Sequence, residues 1–174
     1  DLFICLDCGD EQRLGPFAPL LRQAAHTVCI DHHVSNDAFA ELNYIRPEAS
    51  STSELVYTLL EDEKISKACA EALYMGIAHD SGVFRFQSTT PKTMRIAANM
   101  IEKGVNVNMI LEETFFRKTY NQMMVTAKIQ SEAVLALDGK CIYGYCTSEM
   151  MEEYGVTTKD LDAVVASIRN VDGV

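Results

Sequence analysis

The sequence has no apolar run near the roughly 20 residues that a membrane-spanning helix needs. It opens on no basic, small-residue-bounded signal segment, so the expected compartment is the cytoplasm. Basic residues are scarce: fifteen Lys and Arg stand against twenty-five Asp and Glu, for a net charge of -10. Long nucleic acid is bound by Lys and Arg set against phosphates, so this balance argues against passive binding of long duplex DNA. It leaves room for a polyanionic substrate whose charge metal ions offset. There is no internal repeat and no low-complexity segment. The chain lacks an initiator Met: it starts inside a strand-like run, Asp1-Leu2-Phe3-Ile4-Cys5-Leu6, and stops in a turn, Asn170-Val171-Asp172-Gly173-Val174. Both ends read as those of a piece of a longer protein.

What is present is ordinary globular material. Of 174 residues, 48% are hydrophobic and 23% charged, enough for one well-packed domain and a fragment of a second. Without a secretory signal the six cysteines read as reduced thiols. Cys5 and Cys8 form a C-x-x-C, but Cys5 lies within an apolar run and no second pair follows. Buried strand cysteine is the expectation, with thiol chemistry as the minor alternative.

LFICLD (2–7) is apolar on both alternating faces, the pattern of a central strand in a parallel sheet covered on both sides. Gly15-Pro16 opens a helix carrying Phe17, Leu20, Leu21 and Ala24, and TVCID (27–31) is a second strand, which completes a βαβ unit. ELNYIRP (41–47) is a short third strand. Ser51-x-x-Glu54 reads as a capping box opening a helix that buries Leu55, Val56, Leu59 and Leu60. The next helix runs from about Ser66 to His79. Its apolar line through Cys69, Leu73 and Gly76 arrives at Asp80, which should therefore emerge on the core-facing side. Thr90-Pro91 starts another helix that Gly104 stops. Helical pattern covers about 107–117 and then 119–137, Asp138-Gly139 is a turn, KCIYGYCT (140–147) is a strand, and Thr157 or Thr158 caps a last helix ending at Ile168. The fold class is α/β, a Rossmann-like parallel sheet flanked by helices, with a linker helix leading into the start of a second α/β domain.

In open parallel sheets, ligands bind outside the carboxyl ends of the strands. Asp7 ends the first strand there and Asp31-His32-His33 ends the second, while Asp80 arrives on a core-facing helix end. Neighbouring strands lie about 5 Å apart, so such side chains can meet around one small ion cluster. Asp7, His32 and Asp80 together offer mixed oxygen and nitrogen ligands without a thiolate, a set that suits Mn, Mg or Fe better than a structural zinc.

IDHHVSN (30–36) resembles the signature of the DHH phosphoesterase superfamily. LFICLDCGD (2–10) resembles the strand bearing that family's preceding acidic motif, and AHDSGVFRFQSTTP (78–91) resembles its downstream Asp-Ser/Thr-Gly motif. The three occur in family order, and the run after Asp80 is similar to the bacterial branch acting on short oligoribonucleotides and 3′-phosphoadenosine 5′-phosphate. The resemblance implies a DHH catalytic domain over 1–117, a linker helix over 118–138, and the beginning of a DHH-associated substrate-binding domain over 139–174. It implies two divalent ions, Mn²⁺ with Mg²⁺ as the alternative, in the full-length protein. Asp7 would bridge them, and His32 and Asp80 would bind the second. Asp31 would orient His32, and His33 would face the scissile phosphate as a catalytic and substrate-binding group. The family's first motif, of His-x-x-x-Asp-x-Asp type, has no counterpart in these residues, which implies that the chain alone is weakly active or inactive. The expected partner is a short RNA or a nucleotide, with neither membrane nor long duplex DNA, and a homodimer is allowed. Within the superfamily a single-strand DNA exonuclease, a pyrophosphatase or polyphosphatase and a cyclic-dinucleotide phosphodiesterase are the alternatives; outside it, a non-catalytic nucleotide-binding module is.

Several residues carry two readings. Arg85 is either a phosphate contact, through bidentate guanidinium chemistry, or an exposed residue between two buried Phe on a strand-like alternation. Ser50, Ser51 and Thr52 could face a phosphate from a helix start, but capping explains them. Asp10 is expected to bond its own loop, His26 to lie on the surface, and His79 to sit at a helix end beside the ligands.

Overall fold

A computed structural model of the chain describes residues 1–168 and 170–174. The chain divides into two compact units, Asp1–Phe115 and Phe116–Val174.

The first unit is built on three parallel strands in the order β1 (Leu2–Leu6), β2 (His26–Asp31), β3 (Leu42–Ile45). Register pairs Cys5 with Cys29 and Leu6 with Ile30, so β1 and β2 end level with one another. The ladder runs on past both ends: the Asp7 amide donates to the Ile30 carbonyl (3.0 Å) and the Arg46 amide to the Asp31 carbonyl (3.0 Å). Asp7 and the Asp31–His33 run are thereby fixed on one rim. On one face of the sheet Cys5, Cys8, Cys29 and Leu21 form a small core. The opposite side chains of β1, Leu2, Ile4 and Leu6, are more than half exposed. By strand order β1 lies at the edge of the described sheet, and one of its faces is uncovered, where its apolar run suggested a central strand covered on both sides.

Between β1 and β2 the chain makes a 3₁₀ segment, Glu11–Phe17, then the short helix α1 (Ala18–Gln23). Asp10 caps the 3₁₀ segment through the Arg13 amide and also pairs with the Arg13 guanidinium. The helix expected from Gly15-Pro16 starts at Ala18 because Gly15 breaks the run at φ 51°. Leu21 is buried, while Phe17 and Leu20 are exposed.

After β3, α2 (Thr52–Leu59) leads away from the rim and α3 (Lys67–Asp80) returns to it. The two helices approach closely because Gly76 has no side chain: a Cβ there would clash with Ser53. Ser51 caps α2 through the Glu54 amide and Ser66 caps α3 through the Cys69 amide. α4 (Pro91–Glu102) opens on a Thr90–Thr93 capping box and closes at Gly104, φ 89°; α5 (Val107–Leu111) runs into a wider turn through Phe116. Ile77, Met100 and Ala70 are fully buried among these helices, with Leu73, Tyr74 and Ile96. Each large apolar side chain so buried contributes roughly 1.5–3 kcal/mol. Leu59 and Leu60, expected in this core, are exposed because α2 ends at Leu59.

The second unit holds α6 (Tyr120–Ser131), a hairpin of β4 (Val134–Ala136) and β5 (Cys141–Tyr143), then α7 (Ser148–Tyr154) and α8 (Asp162–Ile168). Val125, Ile129, Val156 and Val164 are its core. The helical pattern expected over 119–137 stops at Ser131, and its last residues form β4. The Asp138-Gly139 turn is present, with both residues at positive φ.

Candidate metal centre

Asp7 leaves β1 in the left-handed region, φ 59°, a conformation that Asp tolerates better than most residues. Its carboxylate is half exposed on the rim, and Oδ1 accepts a 2.7 Å hydrogen bond from the Thr52 hydroxyl. His32, one residue beyond β2, places Nδ1 3.3 Å from the Ala49 carbonyl. A carbonyl only accepts, so Nδ1 carries the proton and the Nε2 lone pair is free. That lone pair faces Oδ1 of Asp7 at 3.6 Å and Oδ2 of Asp80 at 3.6 Å. Asp80, at the last residue of α3, is half buried, on the side that its helical line required.

The Nε2 lone pair of His32 thus faces two carboxylate oxygens, one on Asp7 and one on Asp80. An N–H···O bond would be about 2.7–3.2 Å long, and 3.6 Å exceeds it. Donors each about 2.1 Å from one ion are separated by about 3.0–3.6 Å as the angle opens from 90° to 120°. The two 3.6 Å separations about His32 and the oxygen–nitrogen chemistry are of the kind a divalent cation takes.

His33 also lies close: Asp7 Oδ1, His32 and His33 offer atoms all within 4.8 Å of one another. The near atom of His33 is Nδ1, however, and it is committed to Asp31 Oδ1 at 2.7 Å. Asp80 Oδ2 instead lies 3.6 Å from the uncommitted Nε2 of His32. Asp31 has no exposure and receives four donors: the ring of His33, the amides of His32 (2.7 Å) and His33 (3.2 Å), and the Asn36 side chain (2.6 Å). Burial pushes the Asp31 carboxyl up, but the Asn36, His33 and backbone hydrogen bonds outweigh it and hold it below the ordinary carboxylate range. The same Asp31 hydrogen bond raises His33 above the usual imidazole value, against the opposing effect of burial. Asp31 was expected to hold the ring of His32. It holds that of His33, and the ring of His32 is held by Ala49.

The turn after Asp80 is unusual. Gly82, Val83 and Phe84 are all left-handed, at φ 57°, 57° and 61°. Buried Ser81 closes it: its hydroxyl donates to the Ile77 carbonyl (2.6 Å) and accepts from the Phe84 amide (3.0 Å). Arg85 stands exposed on this turn, its amide bonded to the Ser81 carbonyl. The strand-like alternation considered for it is absent. Phe84 is half buried against Tyr74, and Phe86 is 48% exposed. His79 is exposed, with Nδ1 3.5 Å from Asp80 Oδ1, and His26 pairs on the surface with Glu41.

Thr52 was assigned to capping by its sequence context. Ser51 alone caps α2, and Thr52 turns its hydroxyl to Asp7. A helix-start triplet of hydroxyl residues was the only signal, and it does not say which one faces the site.

Residues 1–77 match the DHH family, N-terminal domain. The chain is 28% identical over 170 residues to the Bacillus subtilis bifunctional oligoribonuclease and PAP phosphatase NrnA, covering 95% of this chain and 51% of that protein. It is 39% identical over 150 residues to a probable bifunctional oligoribonuclease and PAP phosphatase NrnA of Streptococcus mutans, covering 83% and 47%. The chain thus spans about half the length of the curated relatives it matches. An exopolyphosphatase-related protein from Bacteroides fragilis has the same fold, with a TM-score of 0.93 at 23% identity over 99% of this chain and 52% of that one.

Proposed function

The chain belongs to the DHH family through its first 77 residues, and on that premise we propose that the full protein is a divalent-metal-dependent phosphoesterase of short oligoribonucleotides and 3′-phosphoadenosine 5′-phosphate. The observation that carries this reading is the His32 Nε2 lone pair set 3.6 Å from both Asp7 and Asp80. The names borne by the relatives support the substrate class.

Asp7, His32 and Asp80 would hold the ion, with Mn²⁺ as the first choice and Mg²⁺ as the second. A bound divalent ion supplies charge neutralisation at the phosphoryl oxygens and makes water more acidic. Asp31 keeps the His33 ring protonated at Nδ1 and favours its cationic form. His33 then presents an Nε2–H that can hydrogen-bond a phosphate oxygen or supply a proton to the departing oxygen. Arg85 is a further candidate for the substrate's charge. A second ion, residues 139–174 as the start of a substrate-binding domain, and a cytoplasmic setting complete the reading. Among the described residues no helix is long and apolar enough to cross a membrane.

The test is a substrate panel on the full protein: di- to pentaribonucleotides, 3′-phosphoadenosine 5′-phosphate, pyrophosphate, a cyclic dinucleotide and single-stranded DNA, each with Mn²⁺ and with EDTA. Metal-dependent turnover of the first two is expected. Turnover confined to another substrate would reassign the enzyme within the family, and no turnover at all would favour a nucleotide-binding module.

A further inference from the structure

We propose that the stretch Ala49–Glu54 is the positioning frame of the metal site, with Thr52 fixing Asp7 and buried Glu54 anchoring the frame. The inference rests on the reading that Asp7, His32 and Asp80 hold a divalent ion.

The frame touches both rim ligands from one short segment. The Ala49 carbonyl accepts from His32 Nδ1 at 3.3 Å, and three residues later the Thr52 hydroxyl donates to Asp7 Oδ1 at 2.7 Å. The first contact keeps the proton on Nδ1, so Nε2 is available to a metal. The second holds Asp7 Oδ1, the atom that stands 3.6 Å from that Nε2. Thr52 is 5% exposed, so its hydroxyl has little water to turn to. Ligand orientation on two different strands is thus set by a single loop, and groups that orient ligands in this way govern metal affinity.

Glu54 explains why the loop keeps its shape. It is 2% exposed, yet its side chain does not complete a capping box with Ser51. Instead Oε2 accepts the Ser50 hydroxyl (2.7 Å), the Ser50 amide (3.4 Å) and the Thr93 hydroxyl (2.7 Å), and Oε1 lies 3.5 Å from Lys92 Nζ. The Thr93 oxygen also accepts the Thr90 amide (3.1 Å). Thr93 therefore spends its own proton on Glu54, and the direction of that bond is fixed. A carboxylate surrounded by donors on three sides pins Ser50, between Ala49 and Thr52, to the start of α4.

A role confined to stability would lower the melting temperature of variants and leave metal affinity alone. The test separates the two with the whole chain, titrated with Mn²⁺ and followed by loss of the free-ion electron paramagnetic resonance signal. Melting in EDTA is measured beside it. Thr52→Val, nearly isosteric, should weaken Mn²⁺ binding by about 10- to 100-fold, and Thr52→Ser should restore it to within about 3-fold. Glu54→Gln should weaken binding too. In the metal-free chain it should also erode the Nδ1–H signature of His32 in long-range proton–nitrogen spectra. Should Glu54→Gln fail to fold, the Thr52 pair carries the test alone. Thr52→Val binding Mn²⁺ as tightly as the unaltered chain overturns the frame and leaves the metal assignment standing. An unaltered chain that binds no Mn²⁺ overturns the metal assignment and the frame together.

Discussion

Asp31 and His33 form one unit: Nδ1 of His33 donates to Oδ1 of Asp31 at 2.7 Å, and the carboxylate is wholly buried. The acid is thereby tied to four donors and cannot be removed quietly. Asp31→Ala should destabilise the chain by about 2–4 kcal/mol, since it strands two backbone amides and the Asn36 side chain. Asp31→Asn, which keeps one acceptor, should cost about half as much. Urea unfolding in EDTA reads both values.

The left-handed turn after Asp80 has its own test. Gly82 sits at φ 57°, and a Cβ there would lie 2.5 Å from the Phe86 ring. Gly82→Ala should lower stability by about 1–3 kcal/mol, through strain and displacement of Phe86. Val83→Gly should act in the opposite direction, because a β-branched residue at φ 57° carries strain that glycine lacks. Thermal melts of the two variants should shift with opposite signs.

Thiol reactivity should divide the six cysteines. Cys5, Cys8 and Cys29 are buried and burial pushes each thiol up, Cys5 to about 11 from 9.0. Cys69, Cys141 and Cys146 are partly exposed. At pH 8 the raised value alone should slow alkylation of Cys5 about a hundredfold relative to an ordinary thiol. Peptide mapping after brief maleimide treatment should find label on the latter three, and on all six once the chain is unfolded.

Asp160 gives the second unit an acid sensitivity. The Thr157 amide, the Thr157 hydroxyl and the Gln122 side chain all donate to its carboxylate and lower its pKa below 3.8. A carboxyl depressed in the folded state stabilises above its unfolded pKa and loses that contribution as pH falls through the folded one. Asp160→Asn should therefore destabilise the second unit at neutral pH, and the difference should shrink as pH falls below 3.8 and through the depressed folded value. Unfolding followed at residues 116–174 by amide exchange would show it.

Much of the fold was legible because local chemistry marks it. Ser51, Thr90, Gly104 and Asp138-Gly139 are start and stop signals set by backbone needs, and each does what its residue type dictates. The facing of His32 to both Asp7 and Asp80 followed from strand ends and a helical line, both periodic features. The α6 end was not legible: the apolar pattern runs on through Leu137 without Gly or Pro, and β4 takes its last residues by pairing with β5. The uncovered face of β1 was equally hidden, since an apolar run does not report how many faces the described residues cover.

Within the site, the sequence named the participants better than the bonds. Asp31 precedes both histidines, and nothing in the order Asp-His-His says which ring it holds. The Thr52–Asp7 bond spans 45 positions, beyond the reach of any local pattern. Glu54 looked like half of a capping box because spacing alone cannot distinguish a side chain that turns back to Ser51 from one that reaches Ser50 and Thr93.

The most direct test of the central claim is an anomalous difference map from crystals of the chain soaked in Mn²⁺. The account predicts a peak bonded to His32 Nε2, Asp7 Oδ1 and Asp80 Oδ2, and its loss in the Asp80→Asn variant. A map with Mn²⁺ elsewhere, or a cluster that stays empty at millimolar Mn²⁺ with His32 still 3.6 Å from both carboxylates, would contradict it.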